Sequence, residues 1–237
     1  MPAAQSLNGM VRIRPAWIVW AVSSLIFAIY ISMAQIASHT TIARLRLDPA
    51  NVVHVEVFRL FNDTLQFSLL FLGNGREQRP ELGSYVSFDK EDGLLNFQPG
   101  AEVQVLASVP SSSPLRYEAM PLETLHHRGQ NERPMTTNLA IRPGVYRWPP
   151  PPPMSVIHLH AGFNSVSFEV ISVGTPLAGE TVNLAVLPPL GVQTGQSSLA
   201  WLWFGLFWPF FLIPHLLWAV CLCPGGLRRH TTSIRLP

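Results

Sequence analysis

The sequence predicts a mainly β protein, an antiparallel β-sandwich (Ig-like or jelly-roll-like) flanked by two transmembrane α-helices. Two long apolar segments without a charged residue predict the helices. Between them, apolar and polar residues alternate with period two and turn-forming residues interrupt the runs, which predicts short strands. The composition agrees with a membrane protein: 48% of the residues are hydrophobic and 13% are charged, against about 25% charged in ordinary soluble domains.

The apolar segments set the predicted domain boundaries. Residues 16–37 and 199–222 are both longer than the roughly 20 helical residues that cross a hydrocarbon core. We therefore expect an N-terminal tail (1–15), a first span (16–37), a central domain (38–198), a second span (199–222) and a basic C-terminal tail (223–237). A cleaved signal peptide ending near Ala34 is the alternative for the first segment, although its apolar run is longer than a typical signal core.

The distribution of charge predicts the orientation of the two spans. All 14 acidic residues lie between Asp48 and Glu180, whereas both ends of the chain carry arginine and no acid. Arginines near the end of a span favour the cytoplasmic side, and Arg228, Arg229 and Arg235 follow the second span. We expect both termini in the cytoplasm and residues 38–198 in the periplasm of a bacterial inner membrane.

The predicted strands begin at Val52. Val53, Val55 and Val57 share one face, and a second alternating run, 65–71, follows the turn signal Asn62-Asp63, so the two runs predict a hairpin. Further strands are expected at 85–88, 94–97, 102–108, 138–142, 155–160, 165–172 and 181–187.

Two segments depart from this strand pattern. Residues 109–136 are too long for an ordinary strand connection, and within them Pro121–Gly129 resembles a short helix. The run Pro149–Pro153 predicts a polyproline II rod, which serves either as a docking ligand or as a stiff crossover between sheets.

Both spans carry residues that favour contact with other helices. Ser24, Ala28 and Ser32 recur every four residues with Gln35 nearby, and such a small, polar stripe lets another helix approach closely and form hydrogen bonds. That helix is either the bulky second span, with its single glycine Gly205, or a partner protein.

The second span contains two prolines and a histidine. Pro209 and Pro214 predict kinks, because each proline removes a helical hydrogen bond. For His215 two hypotheses remain: it hydrogen-bonds within the protein assembly, or it extends toward the membrane surface.

The candidate metal ligands are His158 and His160. Two residues apart on a predicted strand, they project from the same face, a spacing that suits two ligands of copper or zinc. His54, His126 and His127 are candidates for a third ligand. No acid or cysteine stands at a supporting spacing, and a His-x-His pair on a solvated strand face is common by chance.

Two motifs of common catalytic sites, Gly-x-Ser-x-Gly and a glycine-rich phosphate loop, do not occur in the sequence, and the single lysine, Lys90, lies in the charged turn Asp89–Asp92. We therefore expect a non-catalytic accessory or structural subunit of an inner-membrane complex, without a cofactor. Its expected partners are the lipid bilayer and other integral membrane proteins, and not nucleic acid. The alternatives are a periplasmic ligand or metal sensor that uses His158 and His160, and an enzyme of envelope chemistry.

Overall fold

The computed structural model describes residues 15–73, 79–89, 94–110, 112–121, 123–127, 130–137, 145–147, 155–190 and 197–223. The chain forms two compact units, Ile36–Leu199 and a second formed by Met1–Gln35 with Ala200–Pro237. The first unit contains the strands and the second the apolar helices. The predicted strand at 138–142, the proline run 149–153 and nearly all of both predicted tails lie outside the described residues.

The described residues are mainly β, as predicted. The strands are β1 (Thr41–Arg46), β2 (Val52–Arg59), β3 (Asp63–Thr64), β4 (Phe67–Phe71), β5 (Ser84–Asp89), β6 (Leu94–Gln98), β7 (Val103–Ser108), β8 (Leu115–Ala119), β9 (Glu123–His127), β10 (Gln130–Thr136), β11 (Val145–Arg147), β12 (His158–Leu159), β13 (Gly162–Val173) and β14 (Thr181–Val186). Short 3₁₀ helices occupy Pro80–Leu82 and Thr175–Leu177.

One large antiparallel sheet dominates the β unit. Its strand order is β1-β14-β4-β10-β8-β7-β13-β2, with β9 paired to β10, and the two edge strands β1 and β2 lie close together. The sheet is therefore nearly barrel-like. Smaller sheets are formed by β11-β6-β5 and by β12-β3. The sandwich type stays a prediction.

An aromatic cluster shows how the sheet closes around its core. The ring centroid of Phe67 on β4 lies 4.8 Å from that of Tyr117 on β8 and 4.8 Å from that of Phe168 on β13. Neither β8 nor β13 is a neighbour of β4 in the sheet, so these contacts require strong curvature. All three side chains are buried, and aromatic pairs of this kind contribute beyond the area that they bury.

Two predictions about the β unit were wrong. Strands β2 and β4 do not form a hairpin, because β2 pairs with β13 while β4 pairs with β10 and β14. Residues 123–127, expected within a helix, form strand β9, and the region 109–136 contributes β8, β9 and β10. Pairing with neighbouring strands has overridden a weak local helix signal there.

The second unit holds two apolar helical segments. Helix α1 spans Pro15–Ala37, and an 11-residue 3₁₀ helix, Ser197–Phe207, leads into α2, Trp208–Leu222. Pro15–Ala37 and Trp201–Leu222 are long and apolar enough to cross a membrane. This agrees with the two predicted spans, except that the second is not one continuous α-helix.

Candidate functional site

The two apolar helices meet through a polar contact. Ser24 Oγ lies 2.7 Å from Nε2 of His215 and also donates to the carbonyl of Trp20 at 2.8 Å. A serine hydroxyl has one hydrogen, so when Ser24 donates to Trp20, Nε2–H of His215 donates to Ser24. In return, Trp20 Nε1 donates to the carbonyl of His215 at 3.2 Å. Each helix thus satisfies polar groups of the other.

Aromatic and small residues extend this contact along α1. The Trp20 and His215 rings stack with centroids 5.2 Å apart and an interplanar angle of 18°. Farther along, Phe27 contacts Phe211, and Ala34 is buried where Gly205 approaches it. We call this surface of Trp20, Ser24, Phe27, Ala34, Gly205, Phe211 and His215 the helix seam.

The structure divides the predicted stripe of small residues. Ser24 lies in the helix seam, whereas Ala28, Ser32 and Gln35 are exposed. Ser32 Oγ donates to the carbonyl of Ala28 at 2.8 Å, within its own helix. The seam follows the spacing of Trp20, Ser24, Phe27 and Ala34 instead, since large aromatic residues of the second span fill that face.

The two prolines have different positions. Pro209 lies in the first turn of α2, directly after the 3₁₀ helix ends, a position that proline tolerates well. A kink at Pro209 stays a prediction. Pro214 does lie inside α2, directly before His215.

Gly205 supplies a test of the helix seam. A Cβ built on Gly205 would stand 2.3 Å from the Cβ of Ala34, so Gly205→Leu is expected to separate the helices at this point. Cysteines introduced at Phe27 and Phe211, whose rings are in contact, with the native cysteines replaced by serine, should be joined efficiently by a short bifunctional thiol cross-linker in the parent and several-fold less in this variant. Leu206→Ala, on an exposed side chain, is the control. Unchanged cross-linking in Gly205→Leu would contradict the close packing of Gly205 against Ala34 in the helix seam.

The predicted metal ligands lie on a short strand. His158 belongs to β12 and pairs with Thr64 of β3, and His160 follows the strand. Both side chains are exposed. Among the described residues no group of three His, Cys, Asp or Glu side chains is placed to hold a metal, and the side chains of His126 and His127 lie outside the description. Copper or zinc binding stays a hypothesis.

A buried ion pair, which the sequence analysis missed, lies where β2 ends. Arg59 Nε is 3.2 Å from Asp63 Oδ2, and the two side chains are 1% and 3% exposed. Asp63 Oδ1 accepts the N–H of Thr64, and Arg59 Nη2 donates to the carbonyl of Leu187. Burial lowers the pKa of Arg59 and the Asp63 charge opposes that shift. The pair connects β2 to β3 and to the chain after β14.

A second buried arginine, Arg133 on β10, borders a cavity of about 150 Å³. Its guanidinium donates to four backbone carbonyls, those of Pro99, Ala101, Ala119 and Met120. Burial lowers the pKa of Arg133 to about 10. Burial and the nearby Glu102 raise the pKa of Glu118, which also lines the cavity. Arg133 is thus occupied in joining strand ends.

Comparisons with known proteins identify no family. No family model and no curated protein matches the chain. Among solved structures, a crystal structure of a protein from Sulfurospirillum deleyianum aligns over 65% of this chain and 99% of that chain, with 12% identity and a TM-score of 0.40. A likeness of this degree carries no argument about function.

Proposed function

We propose that this chain is a non-catalytic, membrane-anchored accessory subunit of a bacterial inner-membrane protein complex. In this proposal α1 and the segment 199–222 cross the bilayer, both termini are cytoplasmic, and the β unit stands in the periplasm, where it contacts partner proteins.

The observation that carries the proposal is the uncovered apolar surface of the helices. Of the most apolar 18-residue windows, 0% is buried in the first helix and 6% in the second. Exposed residues on α1 include Val22, Leu25, Ile26 and Ile29, and those on α2 include Phe210, Ile213, Leu217 and Val220. A contiguous patch of this extent is far larger than soluble proteins tolerate, and lipid is the solvent that suits it.

The helix seam bears on the choice of partner. His215, the histidine of the second span, already has a hydrogen-bond partner in Ser24. Ala28, Ser32 and Gln35 remain exposed beside the seam. Small residues on an outward face allow close approach of another transmembrane helix, so we place the partner helix there.

This proposal predicts co-purification through the exposed face of α1. The full chain, extracted in a mild detergent, should carry other integral membrane proteins in a fixed ratio. Ala28→Leu with Ser32→Leu should abolish that association, because the added bulk prevents close helix approach. Ile29→Leu, at a position that is already bulky and exposed, is the matched control. Recovery of the parent chain as a monodisperse monomer would contradict the proposal.

A further inference from the structure

The β unit exposes an aromatic pair at the ends of two adjacent strands. Phe58, near the end of β2, is 40% exposed, and Phe163, near the start of β13, is 82% exposed. The two residues are register partners, with ring centroids 5.0 Å apart. Single exposed apolar residues are common on protein surfaces, but two adjoining aromatic rings form a larger apolar patch that water solvates poorly.

The strand register places this pair at one end of the sheet. Thr41, the first residue of β1, pairs with Val186, the last of β14, and Val186 pairs with Phe67, the first of β4. Strand β2 runs antiparallel to its partner β13 and ends at Arg59. Nη2 of Arg59 donates to the carbonyl of Leu187, the residue directly after β14, so β2 ends at the same end of the sheet as β14. Phe58 and Phe163 therefore lie at the end where β1 begins, which we call the entry end.

Both connections to the apolar helices leave from the entry end. Residues 38–40 alone separate Ala37, the last residue of α1, from Thr41, and a link of that length reaches at most about 14 Å. On the other side, the N–H of Leu190, four residues after β14, donates to the carbonyl of Ala37 at 3.1 Å. The entry end is thus tied closely to the point where α1 ends.

The charged side chains are distributed unequally between the two ends. At the end opposite to entry, Arg46 pairs with Asp48 and Arg79 pairs with Glu180, all at least partly exposed. The entry end around the aromatic pair is formed by the described stretches 58–66 and 155–165. These two stretches contain one acidic residue, Asp63, and it is buried against Arg59. No exposed carboxylate in these two stretches opposes an anionic surface.

We propose that Phe58 and Phe163 insert into the headgroup region of the bilayer and fix the β unit against the membrane surface. This inference rests on the proposed membrane anchoring. Aromatic side chains suit that region because their apolar rings enter the boundary of the acyl chains. A tether of three residues keeps the rings near that boundary, so little entropy is lost when they insert. The β unit then presents its charged, opposite end to partners.

Quenching by lipid tests the insertion in the full chain. The native cysteines are replaced by serine, and an environment-sensitive fluorophore is attached to Ala161→Cys, an exposed position beside the pair. The protein is reconstituted into vesicles of phosphatidylethanolamine and phosphatidylglycerol with headgroup nitroxide lipid. We expect at least about twofold quenching at position 161, lost when Phe163→Ser is added, because apolar contact holds the site at the interface. The fluorophore attached instead to Leu72→Cys, an exposed position at the opposite end, should not be quenched.

A third reporter separates failure of this inference from failure of the anchoring. The same fluorophore is attached to Ile26→Cys on the exposed face of α1, and nitroxide placed on the lipid acyl chain should quench its fluorescence. Quenching at position 26 without quenching at 161 would overturn the aromatic insertion and leave the anchoring intact. Absence of quenching at 26 would overturn the anchoring itself. Quenching at 161 that persists with Phe163→Ser, or a signal that depends on the protein-to-lipid ratio, would also overturn the inference, the latter in favour of contact between copies.

Discussion

Asp63→Asn is expected to lower the free energy of unfolding of the β unit by about 3–5 kcal/mol. The substitution preserves the shape of the side chain but leaves the Arg59 guanidinium, 1% exposed, without its counter-charge. A buried charge without a partner is far more costly than the pair. Urea unfolding of the full chain in a mild detergent, followed by the far-ultraviolet circular dichroism of the strands, measures the difference.

Two controls separate this electrostatic effect from general damage. Arg59→Met combined with Asp63→Leu removes both charges and should recover much of the lost stability, as apolar replacements of buried pairs often do. The surface pair of Arg46 and Asp48 is 2.6 Å apart, with side chains 65% and 43% exposed. Asp48→Asn should therefore cost less than about 1 kcal/mol. Equal losses for Asp63→Asn and Asp48→Asn would contradict the assigned role.

Arg133→Met is expected to be the other strongly destabilising substitution, by about 3 kcal/mol or more. Two effects oppose each other. Burial lowers the pKa of Arg133 to about 10, so removing the charge relieves a desolvation penalty of about 3 kcal/mol. However, four carbonyls lose their donor, and each buried acceptor without a partner costs about 1–3 kcal/mol. The second effect is the larger one.

Arg116→Met provides the matched control for Arg133. Arg116 lies on the neighbouring strand β8 and is exposed, so its loss should change the stability by no more than about 0.5 kcal/mol. Arg133→Lys should fall in between, because an ammonium group has three donors and lacks the planar fork of arginine. The role of Arg133 would be wrong if Arg133→Met unfolded at the same urea concentration as the parent.

Strand β2 shows what makes a strand predictable from the sequence, since it buries one face. In β2, Val55 and Val57 are buried while His54 and Glu56 are exposed, so the period of two was readable. Strand β10 was missed because it buries Asn131, Glu132 and Arg133. Buried polar residues erase the alternation on which the prediction depends, and their partners are distant in the chain.

The sites were less predictable than the strands, for the same reason. The pairing of β2 with β13 and of β4 with β14 joins segments about a hundred residues apart in the chain, which no local pattern encodes. The sequence identified Ser24 as a candidate for helix contact. It did not identify His215 as the partner of Ser24, because the position of the imidazole depends on its ring contacts with Trp20 and Trp218. The spacing of Arg59 and Asp63 was the one local signal for the buried pair.

The central claim is that the β unit stands outside the bilayer and that both helical segments cross it. Labelling with a membrane-impermeant maleimide, in bacterial cells whose outer membrane alone has been permeabilised, tests it directly. Glu56→Cys, exposed on β2, in a chain without native cysteines, should react in these cells. In a second chain, which carries Cys221→Ser and keeps Cys223, the thiol of Cys223, exposed after α2, should react only after lysis. Reaction of Cys223 before lysis, or protection of position 56 until lysis, would contradict the account.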